Sequence, residues 1–196
     1  MVKYVLASNN EHKLKEFREI LNDREIISLK DIGFFEDIDE TGSTFEENCL
    51  LKARTISKYL KEKNLNYVVL ADDTGLCVDA INGEPGLYSA RYAGGHGDSE
   101  ANRAKVLSKM KGKSDRSAHF KCVIAEVFPD GKEIVVEGRT DGRILEEERG
   151  DKSFGYDCLF YSNELGKCFG EASAEEKNAV SHRGKALKNL IMKEKN

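Results

Sequence analysis

Val2, Tyr4, Val5, Leu6 and Ala7 make the first apolar run of the chain, with the length and spacing of a short buried strand. The spacing then changes. Leu14, Phe17, Ile20 and Leu21 recur at three- and four-residue intervals and give a helix one apolar face. Between the two, Ser8 with Glu11 fits a capping box, in which each side chain satisfies an orphan backbone donor of the first helical turn. Glu25 to Leu29 reads as a second strand. Thr44 with Glu47 repeats the capping pattern and opens a helix through Ala53, Ile56 and Leu60. The run YVVLADDTGL (67–76) predicts a strand buried on both faces that ends in two acids and a glycine. Asn82-Gly83 and Pro85-Gly86 mark turns. A polar helix is expected over Ser99 to Met110. SAHFKCVIAEVF and KEIVVEGRT flank Pro129-Asp130-Gly131 and predict a β-hairpin. A strand near Asp157 to Tyr161 follows, and a last helix after Ser181 is apolar at Ala186, Leu187, Leu190 and Ile191.

Strands alternating with helices, plus a hairpin, predict an α/β fold with a mixed sheet. At 196 residues the chain is expected to form one domain over 1–196, with room for two lobes and a core that needs no staples. A 34% charged fraction points to a globular protein with a solvated surface. The net charge of −4 argues against a duplex nucleic-acid binder, which usually carries a basic surplus. No run of 18 apolar residues offers a membrane span. The N-terminus enters its first strand without a signal-peptide pattern, so a cytoplasmic setting is expected. The five cysteines (49, 77, 122, 158 and 168) fit that setting as reduced, buried thiols, being odd in number and never spaced C-x-x-C. None of the four histidines is paired at zinc-ligand spacing.

Several segments offer chemistry beside their plain structural roles. SNNEHK (8–13) starts a helix just past a strand, where free N–H groups and a partial positive charge attract anions, and Lys13 lies one turn in. Asp72-Asp73 sits where open α/β sheets place ligands. Two adjacent acids raise each other's pKa unless a positive group offsets them, and magnesium is a natural partner. The acidic run from Asp31 to Glu47 reads first as a solvated face; Asp39 and Glu40, before Gly42, are its best candidates for a second metal carboxylate. In SFGYD (153–157), Phe154 and Tyr156 are core residues, or one of them stacks on a nucleobase whose edge Asp157 meets. EEKNAVSHRGKAL (175–187) places Lys177, His182 and Arg183 around a helix start capped by Ser181, a set of donors suited to phosphate or carbonyl oxygens.

In that order, ASNNEHK, ADDTGL, GEPGLYSARYAG, SFGYD and EEKNAVSHRGKAL closely resemble the inosine triphosphate pyrophosphatase family, from Lys3 to about Leu190. The resemblance implies an elongated α/β fold with a mixed, bent central sheet flanked by helices, two lobes around a substrate cleft, and a homodimer. It implies hydrolysis of ITP, dITP or XTP to monophosphate and pyrophosphate, with Mg2+. Carried over by position, Ser8, Asn9, Asn10 and Lys13 would hold substrate. Asp73 would accept a proton and ligate the metal, with Asp72 beside it. Thr74 stands where the family usually has serine. Phe154, Gly155, Tyr156, Asp157, Lys177, His182 and Arg183 match base-binding segments. The metal carboxylate before Gly42 is Asp39 by spacing, with Glu40 as the other candidate. Two rivals are a related pyrophosphatase acting on other nucleotides, against which Ser181–Arg183 count, and a non-catalytic nucleotide-binding module, which Asp73 disfavours.

Overall fold

The computed structural model describes residues 2–95, 97–152 and 154–195. The first apolar run forms β1 (Lys3–Leu6), which pairs in parallel with β2 (Glu25–Ile27) and with β3 (Val68–Val78). Parallel neighbours need a crossover, and two helices supply it: α1 (Glu11–Ile20) and α2 (Phe45–Glu62). After β3 come α3 (Ser99–Met110), β4 (Ser117–Val127), β5 (Glu133–Ile144), β6 (Phe160–Ser162) and β7 (Lys167–Cys168). The helices α4 (Ala174–Val180) and α5 (His182–Glu194) close the chain. The sheet is seven-stranded in the order β2-β1-β3-β4-β5-β6-β7, parallel on the β1 side and antiparallel from β5 to β7. It is therefore the mixed α/β sheet expected, and it is open.

Three local expectations change. Helix α1 starts at Glu11, so its cap is Asn10, whose side chain accepts from the backbone N–H of His12 (3.0 Å) and Lys13 (3.2 Å). A capping oxygen must sit one residue before the helix to reach those donors. Ser8 lies too far back and accepts from Asn10 N–H instead (3.2 Å), so the Ser8–Glu11 box does not form. The strand expected from Asp157 begins at Phe160, because Asp157–Leu159 is a single 3-10 turn. Strand β3 does not end at the two acids but runs on to Val78.

The chain divides into two compact units. The first runs to Asp73 and adds Cys122–Glu137 and the chain from Ala186; the second comprises Thr74–Lys121 and Gly138–Lys185. Alternation along the strands builds two cores in the first unit. Val5, Ala7, Val69 and Ala71 pack with Ala53, Ile56 and Leu60 of α2. Leu6 and Leu70 pack on the opposite face with Leu14 and Phe17 of α1 and with Leu187 and Leu190 of α5. The second unit has its own core around Leu76, Val106, Phe120, Ile144 and Phe160.

One buried acid lies apart from the candidate site. Glu126 on β4 has no solvent exposure and lies 3.7 Å from Arg24 Nη1, whose guanidinium also forks the Glu194 carboxylate at 2.5 and 2.7 Å. Burial, reinforced by the neighbouring Glu194, pushes the Glu126 carboxyl well above its ordinary value of 4.5. The folded protein thus holds a proton here that the unfolded chain releases, so this group's contribution declines as pH rises from about 4.5 through neutral. Glu126→Gln should flatten that decline and raise the melting temperature most above about pH 7. Parallel melting curves for both proteins from about pH 5 to 8 would contradict it.

Candidate functional site

Asp72 and Asp73 lie inside β3, just past the point where β1 stops pairing with it, since Leu6 is registered with Leu70 and Ala7 N–H donates to Leu70 C=O. They therefore stand beyond the carboxyl end of the parallel β1, where α/β sheets gather ligands. Asp72 is fully buried. Lys13 Nζ lies 2.5 Å from its Oδ1, and the Cys122 thiol donates to Oδ2 at 3.6 Å. The short rise from Asn10 places Lys13 on the first turn of α1, so the residues that cap this helix also aim its lysine.

Asp73, 7% exposed, meets a lysine that sequence reading missed. Lys52 Nζ lies 2.6 Å from Glu40 Oε1 and 3.5 Å from Asp73 Oδ1, and it donates to the Asp72 carbonyl at 2.9 Å. Burial pulls the Lys52 pKa down, but Asp73, Glu40 and Asp72 together outweigh it and hold the group above its ordinary value as an ammonium. Burial raises the Asp73 carboxyl, and Lys52 opposes that rise. A signal for Lys52 was present: it follows Cys49 by three residues and precedes Ile56 by four, so it stands on the apolar stripe of α2. A lysine there is buried and must be paired.

Of the two candidate acids before Gly42, Glu40 joins this cluster and Asp39 does not. Asp39 is exposed, whereas Glu40 is half-buried against Lys52. The loop is pinned to α2 at Gly42, whose N–H donates to Asn48 Oδ1 at 2.7 Å. A Cβ at position 42 would lie 2.7 Å from that oxygen, so the close approach requires glycine. Three carboxylates (Glu40, Asp72, Asp73) thus surround two ammonium groups (Lys13, Lys52). Among the described residues no set of three or more His, Cys, Asp or Glu side chains is arranged to hold a metal ion by itself. Ser8 is half-buried, while Asn9 and Asn10 are exposed.

The second unit holds the remaining candidates in smaller groups. Lys177 is buried; its Nζ lies 2.6 Å from Asp157 Oδ2 and 5.1 Å from the centroid of the Phe154 ring. Tyr156 is a core residue whose hydroxyl donates to the Ser89 carbonyl at 2.8 Å, so of the two rings Phe154 is the one still half-exposed. Arg183, 1% exposed, donates from Nη2 to Thr74 Oγ1 at 3.4 Å. His182 stacks on Phe120, ring centroids 4.6 Å apart. Ser181 caps α5 as expected, its Oγ accepting from Gly184 N–H at 3.0 Å.

The model of the Ham1 family matches residues 4–193, nearly the whole chain. This chain belongs to the Ham1 family. The Ham1-family chain is 50% identical over 195 residues to the dITP/XTP pyrophosphatase of Clostridium perfringens, covering 97% of this chain and 96% of that protein. It is 46% identical over 194 residues to the dITP/XTP pyrophosphatase of Bacillus subtilis, again covering 97% and 96%. The solved Staphylococcus aureus Ham1 protein has the same fold, with a TM-score of 0.85, 41% identity, and coverage of 99% of this chain and 100% of that one. The family resemblance and the mixed α/β sheet read from the sequence of this Ham1-family chain are thus borne out.

Proposed function

We propose that this chain hydrolyses non-standard purine nucleoside triphosphates (ITP, dITP, XTP) to the monophosphate and pyrophosphate, clearing them from the nucleotide pool. The observation that carries the reading is the cluster of Glu40, Asp72 and Asp73 around Lys13 and Lys52, in a chain 46% and 50% identical to relatives named dITP/XTP pyrophosphatase. Lys13 and Lys52 offset polyphosphate charge, and fixed positive charge is usually the largest catalytic term. Asp73, its pKa raised by burial, is suited to accept a proton from the attacking water. Asp72, held by Lys13 and the Cys122 thiol, keeps that lysine aimed.

The donor set fits Mg2+. Hard carboxylate oxygens outnumber the ammonium groups, and magnesium needs only one or two carboxylates when phosphates and waters complete its shell. Glu40 and Asp73 would hold it, with Asp39 outside their cluster. When bound it would polarise the scissile phosphate and acidify water. Phe154, Asp157, Lys177 and Arg183 of the second unit are read as base-recognising, and Ser8, Asn9 and Asn10 as phosphate-side contacts. We further read the enzyme as a cytoplasmic homodimer without a nucleic-acid partner; all five cysteines are free thiols and no described helix is long and apolar enough to cross a membrane. Sedimentation at micromolar concentration should then show twice the chain mass of 22.0 kDa, and a monomer would refute the dimer.

A panel of nucleoside triphosphates with magnesium, assayed separately for pyrophosphate and orthophosphate, tests the activity. Pyrophosphate should appear from ITP, dITP and XTP. Orthophosphate as the main product, or equal turnover of ATP, would refute the reading.

A further inference from the structure

Arg103 was not singled out by any pattern in the sequence, yet it is one of the most buried charges in the second unit, 4% exposed on α3. Its guanidinium is spent on one loop. Nη1 donates to the carbonyls of Gly155 (3.1 Å) and Lys152 (3.4 Å), and Nε donates to Glu148 Oε1 (2.9 Å). The hydrogen bond from Arg103 holds the Glu148 carboxyl below its usual range, and Glu148 also pairs with Lys152 at 3.0 Å. The two carbonyls bracket Phe154.

Asn102, the neighbouring residue on α3, holds a second segment. Its side chain accepts from Ala93 N–H (2.7 Å) and donates to the carbonyls of Ala90 (3.3 Å) and Ser89 (3.5 Å). The Tyr156 hydroxyl ends on that same Ser89 carbonyl. The backbone around Phe154 is therefore tied at Lys152, Gly155 and Tyr156. The tie matters because Gly155 sits at φ +52°, and a glycine left unheld would populate many other conformations. The half-exposed Phe154 ring is in this way presented beneath Lys177, whose ammonium group also pairs with Asp157.

We propose that Arg103 is a positioning residue for base recognition: it fixes the Phe154–Asp157 loop so that the Phe154 ring is presented before a nucleotide arrives. The proposal rests on the reading of that loop as base-binding. A planar, forked guanidinium can hold two carbonyls and a carboxylate together, whereas an ammonium group is a point donor on a flexible stem. Losing the tie moves the ordering of the loop into the binding step, which weakens binding without touching the reacting atoms.

The chain contains no tryptophan, so Phe154→Trp installs a single fluorophore on the loop itself. Inosine monophosphate is titrated against this reporter with Arg103 intact, with Arg103→Met and with Arg103→Lys, and melting temperatures are recorded for each. With Arg103 intact, fluorescence should change on binding. Arg103→Met should raise the dissociation constant about tenfold and lower the reporter's anisotropy in the free protein, the scale of one or two lost hydrogen bonds. Arg103→Lys should recover part of both. In chains with Phe154 retained, Arg103→Met should raise KM for ITP and leave kcat within about twofold. If Arg103→Met does not fold, Glu148→Gln, which weakens the carboxylate's bonds to Arg103 Nε and Lys152 and leaves the two Nη1 bonds in place, should move both readouts in the same direction by less. Unchanged dissociation constant and anisotropy in these variants would overturn the positioning role while leaving the base-binding reading intact. A reporter silent to inosine monophosphate in an enzyme that still cleaves ITP would instead remove the base-binding reading, and the proposal with it.

Discussion

Asp73→Asn should lower kcat for ITP by about 10²–10⁴-fold, the usual scale for a positioned general base. The substitution keeps the shape of the side chain and removes the ability to accept a proton. It also removes a charge that the fold holds unfavourably. Burial raises the Asp73 pKa above its ordinary 3.8, so the ionised carboxylate is less stable folded than unfolded, and stability falls as pH rises past that value. The asparagine variant should therefore melt no lower than the parent at neutral pH while losing turnover. That opposition separates the prediction from simple unfolding, which would lower both. Activity within about tenfold of the parent, in a folded Asp73→Asn protein assayed across pH 6–9, would take Asp73 out of the mechanism.

The part of this site that could be read from the sequence is the part written in alternation and order. Val5 and Leu6 lie on opposite faces of a strand, and their burial in two different cores follows from apolar residues at both parities. The adjacent acids after Ala71 could be recognised as chemistry because a buried strand has no structural use for them. What could not be read depended on contacts between distant segments. Whether Asp39 or Glu40 turns toward the cluster is decided by the pin of Gly42 on Asn48, six residues on, and by Lys52 one further turn along α2. Tyr156 and Phe154 look equivalent as aromatic residues in one loop. The core of the second unit and the Ser89 carbonyl, 67 residues earlier, hold the first ring. Helix α4 was missed because it has no apolar stripe, although Ser173 with Glu176 forms a complete capping box. Lys52 was legible and overlooked, since a lysine between Cys49 and Ile56 breaks an apolar face for a reason.

Arg183→Ala should reduce the preference for ITP over ATP, measured as the ratio of kcat/KM values, by about 5- to 150-fold, the equivalent of about 1–3 kcal/mol for a buried polar group that loses its partner. Position 6 of hypoxanthine and xanthine carries a carbonyl acceptor, whereas adenine carries an amino donor there. A donor such as the Arg183 guanidinium meets the carbonyl and leaves the adenine amino group facing another donor. Sites built this way reject the wrong partner far more strongly than apolar pockets do. Guanine shares the carbonyl, so GTP should be refused less completely than ATP, and Arg183→Ala should change the ITP to GTP ratio much less. The side chain is almost fully buried and its Nη2 donates to Thr74, so the alanine variant also loses packing and one hydrogen bond. Arg183→Lys keeps a donor and most of the apolar stem and should retain part of the ITP preference. Melting temperatures of both variants establish that folded protein is compared. A fall in overall rate with the ITP to ATP ratio unchanged in both would assign Arg183 to Thr74 and the fold, and would remove it from recognition of the base.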